Sequence, residues 1–192
     1  MVLRNQPGGI SFRSCLRDDC ILGGDNWAVL DIYSEYLVAG AKLEDNMMPY
    51  LEPTQESGRA LFARRISGSV VMLNLLRFRK VADYSATPEL APAVPISGPA
   101  AYRRYIELTL PHLARSGGEV TFLARGGQFL IGPSDERWDA AMLVRQSSVA
   151  SFMAFASNSE YMAGMGHRIA ALEDSRLLPL VDGSVEEVFA GL

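Results

Sequence analysis

Ser69-Val70-Val71-Met72-Leu73-Asn74-Leu75-Leu76-Arg77-Phe78 is the most strand-like run in the chain. It follows a turn signal at Ser67-Gly68 and passes into a basic patch, Arg77-Phe78-Arg79-Lys80. Apolar residues occupy both alternating faces, which predicts a strand buried on both sides. Asn74 interrupts the run. An amide there must find partners or cost about 1–3 kcal/mol of desolvation.

Upstream, Thr54 is an N-cap with acidic Glu56 in the first turn. This predicts a helix within residues 47–67, with Leu61, Phe62, Arg65 and Ile66 in its later turns and Gly68 as its stop. Downstream, residues 80–97 carry Pro88, Pro92 and Pro95 and read as a loop whose only aromatic is Tyr84. Ser97 caps a helix over 98–116, with Pro99 in its first turn, where proline is tolerated. Tyr102, Tyr105, Ile106, Thr109 and Leu113 fall on one face of it. Pro111 predicts a kink or an early end, and Gly117-Gly118 a stop.

Glu119 to Ala124 alternates as a strand, and Phe129-Leu130-Ile131 reads as its continuation past a bend at Gly126-Gly127. Trp138 to Val144 returns. Ser147 or Ser148 caps a short helix, and Asn158 caps a second one running from Tyr161 to Leu172, weakened by Gly164 and Gly166. The last strand is Arg176 to Leu180, with Pro179 marking an edge.

From Gly68 to Val181 the order is strand, helix, strand, strand, helix, strand. That is an α+β, ferredoxin-like βαββαβ arrangement with an antiparallel sheet and helices on one face. The first strand keeps a second apolar side, which predicts a homodimer through the sheet face, a dimeric α/β barrel. The expected organisation is an N-terminal extension over 1–46, the helical segment 47–67, the barrel domain 68–181 and a tail over 182–192. A helix over Trp27 to Val38 is one reading of the extension, and a strand is the other. The change of grain at Met47-Met48 suggests that the native protein starts there.

The composition excludes several classes. A net charge of −4 argues against nucleic acid or an anionic membrane as partner. No apolar run is long enough to span a bilayer, and no signal peptide opens the chain. Cys15 and Cys20 match no zinc or redox spacing, so two reduced thiols of a cytoplasmic protein are expected. There is no phosphate-binding glycine loop and no nucleophile elbow. With two histidines in all, a multi-histidine metal site is excluded, and neither a metal nor a cofactor is expected.

Val71 to Phe78, Ser97-Gly98-Pro99-Ala100-Ala101-Tyr102-Arg103-Arg104-Tyr105, Gly117-Gly118, Trp138-Asp139, Ser159-Glu160-Tyr161, His167-Arg168 and Glu173-Asp174-Ser175-Arg176-Leu177 stand in an order that resembles the bacterial family called domain of unknown function 1330. The resemblance runs from about Pro49 to Leu180. It implies a dimeric α/β-barrel fold, also used by antibiotic-biosynthesis monooxygenases and muconolactone isomerases. It brings no settled activity.

Candidate site residues therefore come from chemistry alone. Asn74, Tyr105 and His167 are the candidate catalytic groups. His167 is a general base or a surface-bonded histidine. Asn74 holds a carbonyl, enolate or oxygen, or else pairs within the strand. Tyr105 packs or donates. Tyr102, Trp138 and Arg176 are the candidate substrate-binding groups, with an Asp139–Arg176 ion pair as the structural alternative. Three functions follow: a cofactor-independent monooxygenase- or isomerase-like enzyme for a small apolar or aromatic molecule, a non-catalytic dimer binding such a ligand, or a domain that only dimerises.

Overall fold

A computed structural model of the chain describes residues 49–190. The expectations for residues 1–46, including Cys15, Cys20 and the element over Trp27 to Val38, lie outside the described residues.

The run that opens the sequence reading forms β1 (Val70–Phe78). The other strands are β2 (Glu119–Arg125), β3 (Ala140–Gln146) and β4 (Leu172–Leu180). They make one sheet in the order β2-β3-β1-β4, and every neighbouring pair is antiparallel. Helix α1 (Gln55–Ala63) precedes β1, and α2 (Gly98–Arg115) joins β1 to β2. Between β3 and β4 run α3 (Val149–Ala156), α4 (Ser159–Ala163) and α5 (Met165–Ala171), and α6 (Val185–Phe189) follows β4. Strand order and connections are those of the ferredoxin-like fold.

Strand alternation divides β1 into two sides. Leu76 belongs to the core beneath the helices, together with Tyr102, Tyr105, Leu113, Phe155 and Leu172. Val70, Met72 and Asn74 share its parity and hence its side. Val71, Leu73 and Leu75 point the other way. Helix α2 turns Ala101, Tyr102, Tyr105, Thr109 and Leu113 inward. Tyr102, Tyr105, Thr109 and Leu113 are the stripe expected from the sequence; Ala101 joins it, and Ile106, also expected there, is only partly buried.

The caps read from the sequence are made. Ser97 accepts from the Ala100 N–H, Ser148 from Ser151 and Asn158 from Tyr161. Pro179 lies on the edge strand, as expected, and its carbonyl accepts from Arg64 Nη1 at 2.7 Å.

Several boundaries differ. Helix α1 ends at Ala63, because Arg65 adopts a left-handed φ of 47°; Arg65 and Ile66 fall outside it. Pro111 does not end α2, which continues to Arg115. The lost N–H removes one bond, while Leu113 beyond it is still buried in the core. The helix expected after Asn158 is two helices, broken at Gly164. Strand β4 begins at Leu172, four residues before the expected start, and the tail carries α6 under a Ser184 cap.

The largest correction concerns Phe129-Leu130-Ile131. These residues form no strand, and Leu130 is fully exposed. Past Gly126 the hairpin leaves the sheet, held by an N–H of Trp138 to the Gly127 carbonyl and a single bridge between Gln128 and Arg137. With no third strand beside it, apolar residues alone do not make a ladder.

One close approach fixes the layers. The Gly98 N–H donates to the Arg79 carbonyl at 3.1 Å, and the Arg79 N–H donates to Ala171 at 2.9 Å. The end of β1, the start of α2 and the end of α5 therefore meet at one point. A Cβ on Gly98 would lie 2.4 Å from the Arg79 oxygen and 2.5 Å from that of Ala171, both backbone atoms. Gly98→Ala should cost about 2 kcal/mol or more. Gly127→Ala, which meets open space, should change stability by less than about 0.5 kcal/mol. Equilibrium urea unfolding of both variants checks this.

Candidate functional site

Asn74 sits on the helix side of β1, opposite Met142 on β3 and Leu177 on β4. Its Nδ2 donates back to the Met72 carbonyl at 3.0 Å. The amide is thus turned along its own strand, which answers the desolvation problem posed by its sequence position.

His167 is buried, at 8% exposure, on α5. Its Nδ1 lies 2.8 Å from the Tyr84 hydroxyl, and the two rings meet edge-on with centroids 5.6 Å apart. Burial, then the nearby charge of Arg104, holds the imidazole pKa below its usual 6.5, so the ring is neutral near pH 7. Burial likewise raises the Tyr84 phenol. Tyr84 arrives from the proline-rich loop over 80–97, which is tied down by Ala82 to Ile96 and Asp83 to Ala170 backbone bonds.

Tyr105 places its hydroxyl 3.2 Å from that of Tyr161. Tyr102 packs between Phe78, at 5.3 Å, and Tyr105, at 5.2 Å. Its phenol is raised well above the usual range, chiefly by burial. Among the described residues, no bond joins Asn74, Tyr105 and His167 to one another; each is engaged with a different partner. Tyr84 and Tyr161, those partners, were not named as candidates. Tyr84 was visible only as the lone aromatic of its loop.

Trp138 and Arg176 are brought together on the other side of the sheet. The Arg176 guanidinium carbon lies 5.0 Å from the Trp138 ring and 4.5 Å from that of Tyr50. Arg77 approaches the same Trp138 at 5.9 Å. Arg176 Nη1 donates to Asp174 Oδ1 and to the Ser175 carbonyl, both at 2.8 Å. The expected Asp139–Arg176 pair is not made. Asp139 instead accepts from the Phe78 N–H at 2.8 Å and from Arg137. Arg176 lies opposite Leu75 on the edge strand, two residues along from Asp174 and on its face.

Asp174 is the organiser of this corner. It accepts from the N–H groups of Tyr50 and Ser175 at 2.9 Å, and Arg77 Nη2 stands 3.6 Å away. Burial pushes its carboxyl up, but the Tyr50 N–H, Arg176 and the Ser175 N–H outweigh that and bring it below 3.8. Placing the start of β4 at Arg176 hid this partnership from the sequence reading.

Next to Arg176 lies a half-open groove of ≈ 350 Å³, lined by Leu73, Leu75, Arg176, Leu177 and Leu178. The register adds Val71, Leu143 and Phe122 to the same side of the sheet. Phe122 and Leu178 are each 52% exposed.

The profile of the family described as domain of unknown function 1330 matches residues 92–183. A protein of unknown function from Rhodopseudomonas palustris is 33% identical over 71% of this chain and 99% of its own, with a TM-score of 0.62. The chain belongs to the domain of unknown function 1330 family. The methylated form of the Rhodopseudomonas protein superposes with a TM-score of 0.65, also at 33% identity, over 72% of this chain and 98% of its own. A dimeric protein of unknown function with a ferredoxin-like fold, from Bacteroides fragilis, is 12% identical over 58% of this chain and 94% of its own. Its TM-score of 0.36 is too low to bear on this family member. No curated protein matches the chain. Among the described residues, no helix is long and apolar enough to cross a membrane, and no three His, Cys, Asp or Glu are grouped to hold a metal ion.

Two outcomes are expected. The His167 pKa is lowered on folding, so its contribution to stability is complete above 6.5 and is lost as pH falls from there toward the folded value. The wild-type thermal midpoint should decline over that window, and His167→Gln should lack the decline. Tyr84→Phe should cost about 1–2 kcal/mol at pH 8, by leaving the buried ring nitrogen unpaired. Asp174, also lowered, stabilises in full above 3.8 and less as pH falls through its folded value. Asp174→Asn should destabilise by about 2 kcal/mol at pH 7 and flatten the acid limb, as read by urea titrations at several pH values.

Proposed function

We propose that the chain works as a homodimer that binds a small apolar molecule at its sheet face, without catalysis. The observation that carries this reading is the groove, which combines four leucines with one arginine. The polar groups that chemistry would need are engaged elsewhere. Tyr105 and His167 are buried and bonded to other tyrosines, and the Asn74 amide folds onto its own strand. An apolar sheet face of this kind is rare on a lone chain. A second copy, sheet against sheet about a two-fold axis, covers it with the same residues and needs no other partner. Across such an interface the half-open groove becomes an enclosed, mostly apolar cavity, the usual form of a small-molecule site.

A second reading keeps a monooxygenase- or isomerase-like activity with His167 as base. The neutral imidazole favours it, since only that form accepts a proton. Its 8% exposure stands against it.

Light scattering on a sizing column should give about twice the chain mass of 21.0 kDa. The neutral dye N-phenyl-1-naphthylamine should brighten on binding. Leu73→Glu and Leu178→Glu should each yield monomer and abolish the brightening, because a buried unpaired carboxylate is costly. A monomeric wild type that leaves the dye dark would sink the proposal.

A further inference from the structure

We infer that the groove selects an apolar monocarboxylate, with Arg176 as the anchor for its charged end. This rests on the groove being a binding site, as proposed above, and adds the chemical class of the ligand.

The lining is divided in character. Leu73, Leu75, Leu177 and Leu178 offer only hydrocarbon, so the body of the ligand must be apolar. Arg176 is the single polar lining residue, so one group of the ligand must satisfy a guanidinium. The geometry prepares Arg176 for that task. Nη1 is fixed by Asp174 and the Ser175 carbonyl. The Trp138 and Tyr50 rings lie 5.0 and 4.5 Å from its central carbon. Among the described residues, no partner sits on Nε or Nη2. A guanidinium held in this way has lost its rotamer freedom before any ligand arrives, and its remaining edge keeps two parallel donors. Two parallel N–H groups match a carboxylate in a bidentate pair.

Of the surrounding carboxylates only Asp174 pairs with Arg176, through Nη1, and none reaches the Nε–Nη2 edge among the described residues. Glu173 faces Arg77 at 3.7 Å and Arg137 at 3.8 Å. Asp139 is taken by Arg137 and by the Phe78 N–H, and Glu136 by the Trp138 indole. Asp174 is shared between Arg176 and Arg77. A doubly charged head would bring more charge into the apolar lining than one arginine edge can pair, which favours a carboxylate over a phosphate. Apolar walls on the far side make the charge-assisted bonds stronger than they would be in water.

The test uses a matched pair, 2-naphthoate and 2-naphthamide, each displacing N-phenyl-1-naphthylamine from the wild-type protein. The acid should displace the dye at about tenfold lower concentration than the amide. In Arg176→Gln that preference should shrink to less than about twofold, and Arg176→Lys, which keeps the charge but not the fork, should fall between. If removal of Arg176 unfolds the corner by stranding Asp174, the wild-type protein still decides. Its Arg176 Nε–H resonance should shift on adding naphthoate and stay in place with naphthamide. Equal displacement by acid and amide, or an unmoved Arg176 resonance, would overturn the monocarboxylate assignment while leaving the groove a binding site. A dye that never binds would instead remove the groove reading itself.

Discussion

Everything in this fold depends on a strand that is apolar on both sides. β1 is paired on both edges, by β3 and β4, so its backbone is fully committed to the ladder. Its side chains then face two directions by the period of the pleat. Leu76, with Met72 and Val70 in step, meets the layer made by α2 and α5. Leu73 and Leu75 are left for the other side, where the described residues of the chain supply a groove rather than a lid. The candidate binding function arises from that remainder: one helix layer covers one face, and a four-stranded sheet has two.

The two sides also differ in how they use polar groups. On the helix side, His167, Tyr84, Tyr105 and Tyr161 satisfy one another within an aromatic layer that includes Phe78, Tyr102 and Phe155. Those hydroxyls and the imidazole keep buried polar atoms paired, and the pairing specifies how loop and helices settle on the sheet. On the open side, Asp174 gathers Arg176, Arg77 and the Tyr50 backbone at one end of the groove. There the pairing immobilises one guanidinium while sparing part of its edge. The same chemistry of satisfied bonds thus closes one region and equips the other.

The glycine at position 98 connects these layers. The Ser97-Gly98-Pro99 motif reads in sequence as a helix start, which it is. Its second role appears only when β1 and α5 are placed against it, with two carbonyls within reach of an absent Cβ. The motif lies within residues 92–183, which match the domain of unknown function 1330 family, and its physical content here is a junction between three elements.

By itself the sequence determined the alternation of β1, the caps at Ser97, Ser148 and Asn158, the edge position of Pro179 and the order of elements, hence the ferredoxin-like fold. These are local properties: a period, a capping oxygen, a missing N–H. Trp138 and Arg176 were legible separately as candidate binding groups, but not as neighbours of one another. Only the tertiary structure decided which side Asn74 takes, that His167 is bonded to Tyr84, that Arg176 answers to Asp174 rather than Asp139, and that Phe129 to Ile131 leave the sheet. The side of Asn74 depends on register between strands far apart in the chain, and the others on how the loop, the helices and the hairpin settle around the sheet. A one-residue change of register moves a side chain to the opposite face, and no local pattern in the sequence carries that information.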